Sequence, residues 1–152
     1  MRTVPRKKKT PAPPAPRRVV TRSEGETFRL AEELARGFSG TEVVLLEGEL
    51  GAGKTVFAKG LASGAGVASV DDVRSPSFTL VNIHQGRHAV FHIDLYRLER
   101  PEDILDLGWE DYLGAGVVIV EWADRLVFPL EGIRVRIETG RGDERRITIR
   151  RP

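Results

Sequence analysis

The chain has 152 residues, a formal net charge of +2 and no cysteine. That length is enough for one domain with a real core. The lack of cysteine excludes disulfides and cysteine-based zinc sites, and the lack of any eighteen-residue apolar run argues against a transmembrane helix. A cytoplasmic protein is expected. The net charge hides an asymmetry: residues 1–22 hold eight Lys/Arg and no acid, whereas residues 23–152 hold 16 Lys/Arg and 22 Asp/Glu, a net of −6.

Residues 1–18 carry Arg2, Arg6, Lys7, Lys8, Lys9, Arg17 and Arg18 among five prolines. Proline blocks helix and sheet, and nothing here can bury a core, so a disordered basic arm is expected, with the folded domain spanning 19–152. The arm lacks the apolar stretch of a secretory signal. It reads as a solubilising extension or as an RNA-contacting arm. Ser23-Glu24-Gly25-Glu26 has the S-x-x-E form of a capping box, and Phe28, Ala31, Leu34, Ala35 and Phe38 follow at helical spacing. They predict an amphipathic helix ending near Gly37 or Gly40.

Val43-Val44-Leu45-Leu46 suits a buried parallel strand. It leads into Gly48-Glu49-Leu50-Gly51-Ala52-Gly53-Lys54-Thr55, which reads G-x-x-x-x-G-K-T, a phosphate-binding loop. The glycines permit torsions that aim successive backbone N–H groups into one concavity. The following helix adds its positive N-terminal end. Lys54 brings a full charge on a flexible stem, and Thr55 a hydroxyl for a magnesium ion bridging the phosphates. Val56-Phe57-Ala58-Lys59-Gly60-Leu61-Ala62 continues as a helix that fades at Ser63-Gly64-Ala65-Gly66. Strand, loop and helix together point to nucleoside triphosphate binding.

Asp71-Asp72-Val73-Arg74 leads into Ser75-Pro76-Ser77-Phe78-Thr79-Leu80-Val81-Asn82. The hydroxyl-rich first part stands where nucleotide-binding proteins of this kind carry a γ-phosphate-sensing segment. It reads equally as an ordinary loop. The second part predicts a strand, Gln85-Gly86-Arg87 a turn, and Ala89–Leu95 the returning strand. His84, His88 and His92 recur every fourth residue, but the first two bracket the turn and do not converge on a metal. His92 lies two before Asp94, on the same face of a strand, and there could support a catalytic site.

Pro101-Glu102-Asp103 opens a short helix, with proline at its first position and acids in its first turn. Trp109–Leu113 predicts another. Val117-Val118-Ile119-Val120-Glu121 is an apolar strand ending in an acid, placed to present a carboxylate near the magnesium. Ile133–Glu138 and Arg145–Arg150 alternate apolar with charged residues about Thr139–Asp143, predicting a hairpin. One face is buried, and the other carries Arg134, Arg136, Arg146 and Arg150, most simply a solvated sheet face. The fold expected is a single α/β domain, a central mixed sheet flanked by helices, with a C-terminal antiparallel hairpin.

Four motifs in order resemble one family: Gly-Glu-Leu-Gly-Ala-Gly-Lys-Thr at 48–55, Ser-Pro-Ser-Phe-Thr-Leu-Val at 75–81, His-Ile-Asp-Leu-Tyr-Arg at 92–97 and Val-Glu-Trp at 120–122. Over about residues 23–139 the chain is similar to the TsaE (YjeE) family, the bacterial ATPase subunit of tRNA threonylcarbamoyladenosine biosynthesis. The resemblance implies ATP and magnesium as cofactors and slow hydrolysis by the subunit alone. It implies two partner subunits that perform the transfer to the adenosine next to the anticodon, in tRNAs reading A-starting codons. The ATP cycle would reset those partners, and tRNA would be met indirectly or through the basic arm. The resemblance places Gly48, Glu49, Leu50, Gly51, Ala52, Gly53, Lys54 and Thr55 on the nucleotide, and Thr55 and Glu121 on the metal. Lys54, Asp94 and Glu121 carry catalysis, Trp122 is the aromatic after the second acid, and residues 23–27 approach the nucleotide. Three departures stand out. Val56 replaces a second Thr, and Ser77 replaces Thr but keeps the hydroxyl. Ala123 replaces a frequent Pro after the tryptophan.

A GTPase reading fails because guanine recognition uses N-K-x-D, and Asn82, the one asparagine, is followed by Ile83. A small kinase would need an arginine-rich lid, for which Arg97 and Arg100 are too few. An RNA-associated module built on the arm and the arginine face leaves Lys54, Thr55, Asp94 and Glu121 unexplained.

Overall fold

The computed structural model describes residues 12–70, 73 and 80–152. Its strands and helices run β1 (Arg17–Thr21), α1 (Glu24–Arg36), β2 (Val43–Gly48), α2 (Lys54–Gly64), β3 (Val81–Gln85), β4 (Ala89–Asp94), α3 (Pro101–Leu105), α4 (Trp109–Tyr112), β5 (Val117–Glu121), β6 (Ile133–Thr139) and β7 (Arg145–Arg150). The strands form one mixed sheet in the order β1-β7-β6-β2-β5-β4-β3. The centre, β6-β2-β5-β4, is parallel, while β3, β7 and β1 add antiparallel edges. This is the mixed α/β fold expected from the alternation of apolar runs and helical stretches.

Both faces of the central strands are apolar, which is why β2 and β5 read as continuous hydrophobic runs and not as alternating ones. One face is covered by α1 and α2, enclosing Val44, Leu46, Val90, Ile119, Val135 and Ile137. The other, with Leu45, Phe91, Ile93, Val118 and Val120, lies under Ile104 of α3, Trp109 of α4 and the 122–130 segment. Trp109 donates its indole N–H to Ile104 O at 2.7 Å and meets Phe128 edge-on, which ties the two short helices to that segment.

Ser23 caps α1, its hydroxyl accepting from Glu26 N at 3.1 Å. Glu26 reaches back to Arg22 N at 2.8 Å, one residue earlier than in an ideal capping box. Leu30 joins the buried stripe, and Phe28 is only half-buried. The helix packs on α2 through small residues. A Cβ on Gly60 would run into Phe28 O and stand 2.7 Å from Ala31 Cβ, and one on Gly64 would run into Glu32 O and stand 2.7 Å from Ala35 Cβ. Two helices approach this closely only where side chains are missing, so Gly60 and Gly64 lie inside α2 and the helix runs its full length to Gly64.

The chain enters β2 through a carboxylate cradle. Glu42 accepts N–H bonds from Ser39, Gly40 and Thr41 at 2.8–3.0 Å. Burial acts to raise its pKa, but the backbone donors outweigh it and hold the carboxyl below its ordinary value.

Two expectations change. The boundary of the arm, placed after residue 18, falls inside β1: Arg17 and Arg18 pair with Ile149 and Thr148 of β7. The reason is that β7 offers a free antiparallel edge, and Arg17-Arg18-Val19-Val20-Thr21 contains no proline to block pairing. The strand expected from the second half of 75–82 begins only at Val81 and runs through Gln85. The hydroxyl-rich segment Ser75–Thr79 lies outside the described residues. No helix among the described residues is long and apolar enough to cross a membrane.

Candidate nucleotide site

Parallel strands place their C-terminal ends on one edge of a sheet, and here β2, β5 and β4 end side by side at Gly48, Glu121 and Asp94. The register pairs Leu46 with Glu121 and Asp94 with Glu121. His92, Asp94 and Glu121 therefore share the face covered by α2. The loop 48–53 turns from β2 into α2. Gly51 and Gly53 sit at φ +77° and +105°, torsions that a side chain would strain. The amides of Lys54, Thr55 and Val56 open the helix without intrahelical acceptors, since the first bond of α2 is donated by Phe57 N to Gly53 O.

Lys54 is almost fully buried. Its Nζ donates to Gly48 O at 2.7 Å and Glu49 O at 2.6 Å and lies 4.0 Å over the ring of Trp122. Burial pushes this ammonium below the usual lysine pKa, against the attraction of Glu121, Asp124, Asp94 and Glu49. A cation so placed gains from an incoming anion more than a solvated lysine would. Trp122 adopts a left-handed backbone conformation, φ +59° and ψ +43°, uncommon for an aromatic residue. That turn aims its ring at Lys54 instead of continuing β5. A single 3₁₀ turn at Ala123–Arg125 follows, so the chain keeps a tight turn with alanine at position 123. Tyr96 stacks on Trp122 with centroids 4.8 Å apart, and Arg125 stands beside both rings while donating to Tyr96 O.

Glu121 is buried and doubly held. Thr55 Oγ1 donates to its Oε1 at 3.1 Å, and His92 Nε2 lies 2.5 Å from its Oε2. A carboxylate only accepts, so Nε2 carries the hydrogen. His92 is fully buried, and its Nδ1 has no hydrogen-bond partner among the described residues. The expectation that His92 supports the site from the strand therefore becomes a specific contact, to Glu121. Asp94 accepts from Tyr96 N at 2.9 Å and lines the same cavity.

That cavity has a volume of about 440 Å³ and an open mouth formed by Gly51, Lys54, Thr55, Asp94, Glu121 and Trp122, with Glu24 and Arg97 at its rim. A smaller hollow adjoins it behind the loop, lined by Glu24, Thr27, Gly53, Val56, Asp143 and Arg145. Of the eight residues expected on the nucleotide, Leu50, Gly51, Gly53, Lys54 and Thr55 line this cavity, Ala52 lines the adjoining hollow, and Gly48 and Glu49 line neither. Leu50 is 73% exposed at the tip of the loop, and Ala52 is buried beneath it. Among the described residues no group of three His, Asp or Glu converges as a metal cage.

Arg145 is the residue that motif reading missed. Its Nε donates to Ala52 O at 3.0 Å and its Nη1 to Gly142 O and Glu144 O, so it braces the loop from β7. A signal existed: Arg145 shares parity with Ile147 and Ile149, which point to the core, and not with Arg146 and Arg150.

Residues 21–147 match the family described as threonylcarbamoyl adenosine biosynthesis protein TsaE. The chain belongs to the TsaE family. The tRNA threonylcarbamoyladenosine biosynthesis protein TsaE of Aquifex aeolicus is 44% identical over 108 residues, 70% of this chain and 77% of that protein. The TsaE protein of Treponema pallidum is 40% identical over 121 residues, covering 79% and 88%. The crystal structure of Bacillus subtilis YdiB superposes with a TM-score of 0.70 at 32% identity, covering 90% of this chain and 86% of that one. The matched TsaE segment begins at Thr21 and ends at Ile147, so it contains every site residue named above.

Proposed function

We propose that the chain is a magnesium-dependent ATPase of tRNA threonylcarbamoyladenosine biosynthesis, acting on partner subunits that carry out the transfer. The observation that carries this reading is the meeting of Thr55 and Glu121. These two oxygen donors, 66 residues apart in sequence, come within 3.1 Å at the mouth of a phosphate-binding loop. Two protein oxygens suit magnesium, which keeps several waters and takes its remaining ligands from substrate phosphates. When bound there, the ion supplies charge neutralisation to the phosphates.

The chain's own groups divide the work. The amides at the start of α2 and the Lys54 ammonium receive the β- and γ-phosphate oxygens, and Lys54 Nζ exchanges the carbonyls of Gly48 and Glu49 for them. Thr55 and Glu121 hold the metal, with His92 fixing the carboxylate. Asp94, on the neighbouring strand and facing the same cavity, orients the attacking water. Residues 23–27 approach the nucleotide beside the loop, in keeping with their family likeness, with Glu24 on the cavity itself. The partners are the two other subunits of the transfer complex, and tRNA is met indirectly or through the basic N-terminal segment.

The test is release of inorganic phosphate from ATP and GTP, with and without the partner subunits. ATP should be preferred and the rate should rise with the partners and with magnesium. Equal turnover of both nucleotides, or a rate that magnesium leaves unchanged, overturns the assignment.

A further inference from the structure

The two halves of the sheet differ in cover on the side away from α1 and α2. Over β2, β5 and β4 that side lies under α3, α4 and the 122–130 segment. Over β6, β7 and β1 the outward arginine side chains are exposed, with residues 129–132 bordering Arg134 and Arg150 at one end. Strand alternation sends Ile133, Val135, Ile137, Ile147 and Ile149 to the core and Arg134, Arg136, Arg146 and Arg150 to the open side. The register places Arg18 of β1 opposite Thr148, on the same side. Five exposed guanidinium groups thus stand on three adjacent strands.

Two of the five are answered: Arg134 pairs with Glu47 at 2.8 Å and Arg136 with Glu138 at 3.2 Å. Arg18, Arg146 and Arg150 make no ion pair among the described residues. The concentration runs against the composition, because residues 23–152 as a whole are acidic. The surface is also concave. A depression of about 460 Å³ is lined by Arg18, Arg134, Arg136, Thr148 and Arg150, with Glu47 and Glu138. Glu47, Arg136 and Glu138 also border a second depression that reaches Trp122 beside the nucleotide site. Glu49 and Asp124 line that second depression as well, so acidic residues separate the arginine surface from the phosphate loop. Finally, β1 is the edge strand of this face.

We propose that this open face is an RNA-binding surface that takes the phosphate backbone. Arg18, Arg146 and Arg150 make the direct contacts, and Arg134 and Arg136 are shared with their carboxylates. Arginine on a sheet surface contacts phosphate without reading sequence, so the site would recognise backbone charge and shape. A partner protein with an acidic surface is the competing occupant. Two features favour RNA: the arginines are spread over three strands, as a run of backbone phosphates requires, and three of them lack an ion pair among the described residues.

The experiment measures binding of a fluorescent tRNA transcript to the nucleotide-free full chain between 50 and 250 mM salt, so its outcome does not depend on hydrolysis. Arg18→Gln/Arg146→Gln/Arg150→Gln should weaken binding about tenfold or more at 100 mM salt. It should also lower the slope of log K against log salt by about 2–3, near one unit per lost phosphate contact. An Arg6→Gln/Lys7→Gln/Lys8→Gln/Lys9→Gln chain separates the terminal segment, and Arg150→Glu alone serves if the triple variant melts early. The proposal is overturned if the parent does not bind tRNA at 50 mM salt, or if the face variants keep the parent's slope. It also fails if the whole loss follows the N-terminal substitutions, or if an acidic polypeptide of matched charge displaces tRNA at equal concentration.

Discussion

The parallel centre of the sheet and its antiparallel wing use charge in opposite ways. In the centre, β2, β5 and β4 are apolar along their length and spend their polar residues at one end, where Lys54, Thr55, Asp94 and Glu121 meet within one cavity. In the wing, β6 turns Arg134, Arg136 and Glu138 outward and β7 turns Arg146, Thr148 and Arg150 outward, so the charges spread over an open face. A buried charge must be answered by neighbours, so the centre has a few short, mutually dependent contacts. An exposed charge is answered by water, so the wing tolerates five arginines with only two close carboxylates. The lesson is that substitutions in the centre should be costly and coupled, and those in the wing cheap and additive.

The largest effect should come from the two acids, and it separates their roles. Asp94→Asn should keep ATP–magnesium affinity within a few-fold yet lose most hydrolysis, about 100-fold or more, because a group acting on water contributes in the transition state. Glu121→Gln should lose hydrolysis and also need more magnesium. Magnesium titrations of phosphate release with the partners present check both, and a shifted midpoint for Asp94→Asn alone reverses the assignment. Next comes Lys54→Ala, which should weaken triphosphate binding by roughly 10- to 100-fold, the worth of a charge-assisted contact. Fluorescent nucleotide titration reads this directly.

His92→Ala tests the coupling in the centre through stability. It leaves Glu121 buried without one of its two partners, a loss of about 3 kcal/mol, or roughly 6–12 °C in melting temperature for a domain this size. In Glu121→Gln/His92→Ala the further cost of the second substitution should be much smaller, and additivity would mean that the 2.5 Å contact carries no coupling. By contrast, Arg150→Gln in the wing should move melting by about 1 °C or less.

The smallest effects test the edges. Removal of residues 1–16 keeps β1 whole and should leave ATP affinity and melting nearly unchanged, whereas removal of residues 1–21 takes away β1, uncovers the β7 edge and should lower melting. Equal melting for the two truncations would mean that β1 adds nothing to the wing. At the entry to β2, Glu42 has a lowered folded pKa, so its contribution is present above the ordinary value of 4.5 and is lost as pH falls through the folded value. Chemical denaturation from pH 7 to pH 3 should therefore show a shallower acid loss for Glu42→Gln than for the parent.

What the sequence determined by itself was local. The G-x-x-x-x-G-K-T stretch needed only its own torsions and the strand and helix beside it. The apolar run ending in Glu121 and the alternation of 133–150 needed only a repeat of two. These patterns name elements and the direction in which each side chain leaves its strand. Strand order is a different kind of fact, because alternation states which face is buried but not which strand lies alongside. Only the tertiary structure decided that Arg17–Thr21 closes the β7 edge, that Arg145 braces Ala52 from the far side of the loop, and that His92 takes one oxygen of Glu121 while Thr55 takes the other. Trp122 belongs with these, since its left-handed turn follows from the space over Lys54 and not from any propensity of tryptophan. In each case the partner stands tens of residues away, and the contact depends on the sheet that brings the two segments side by side.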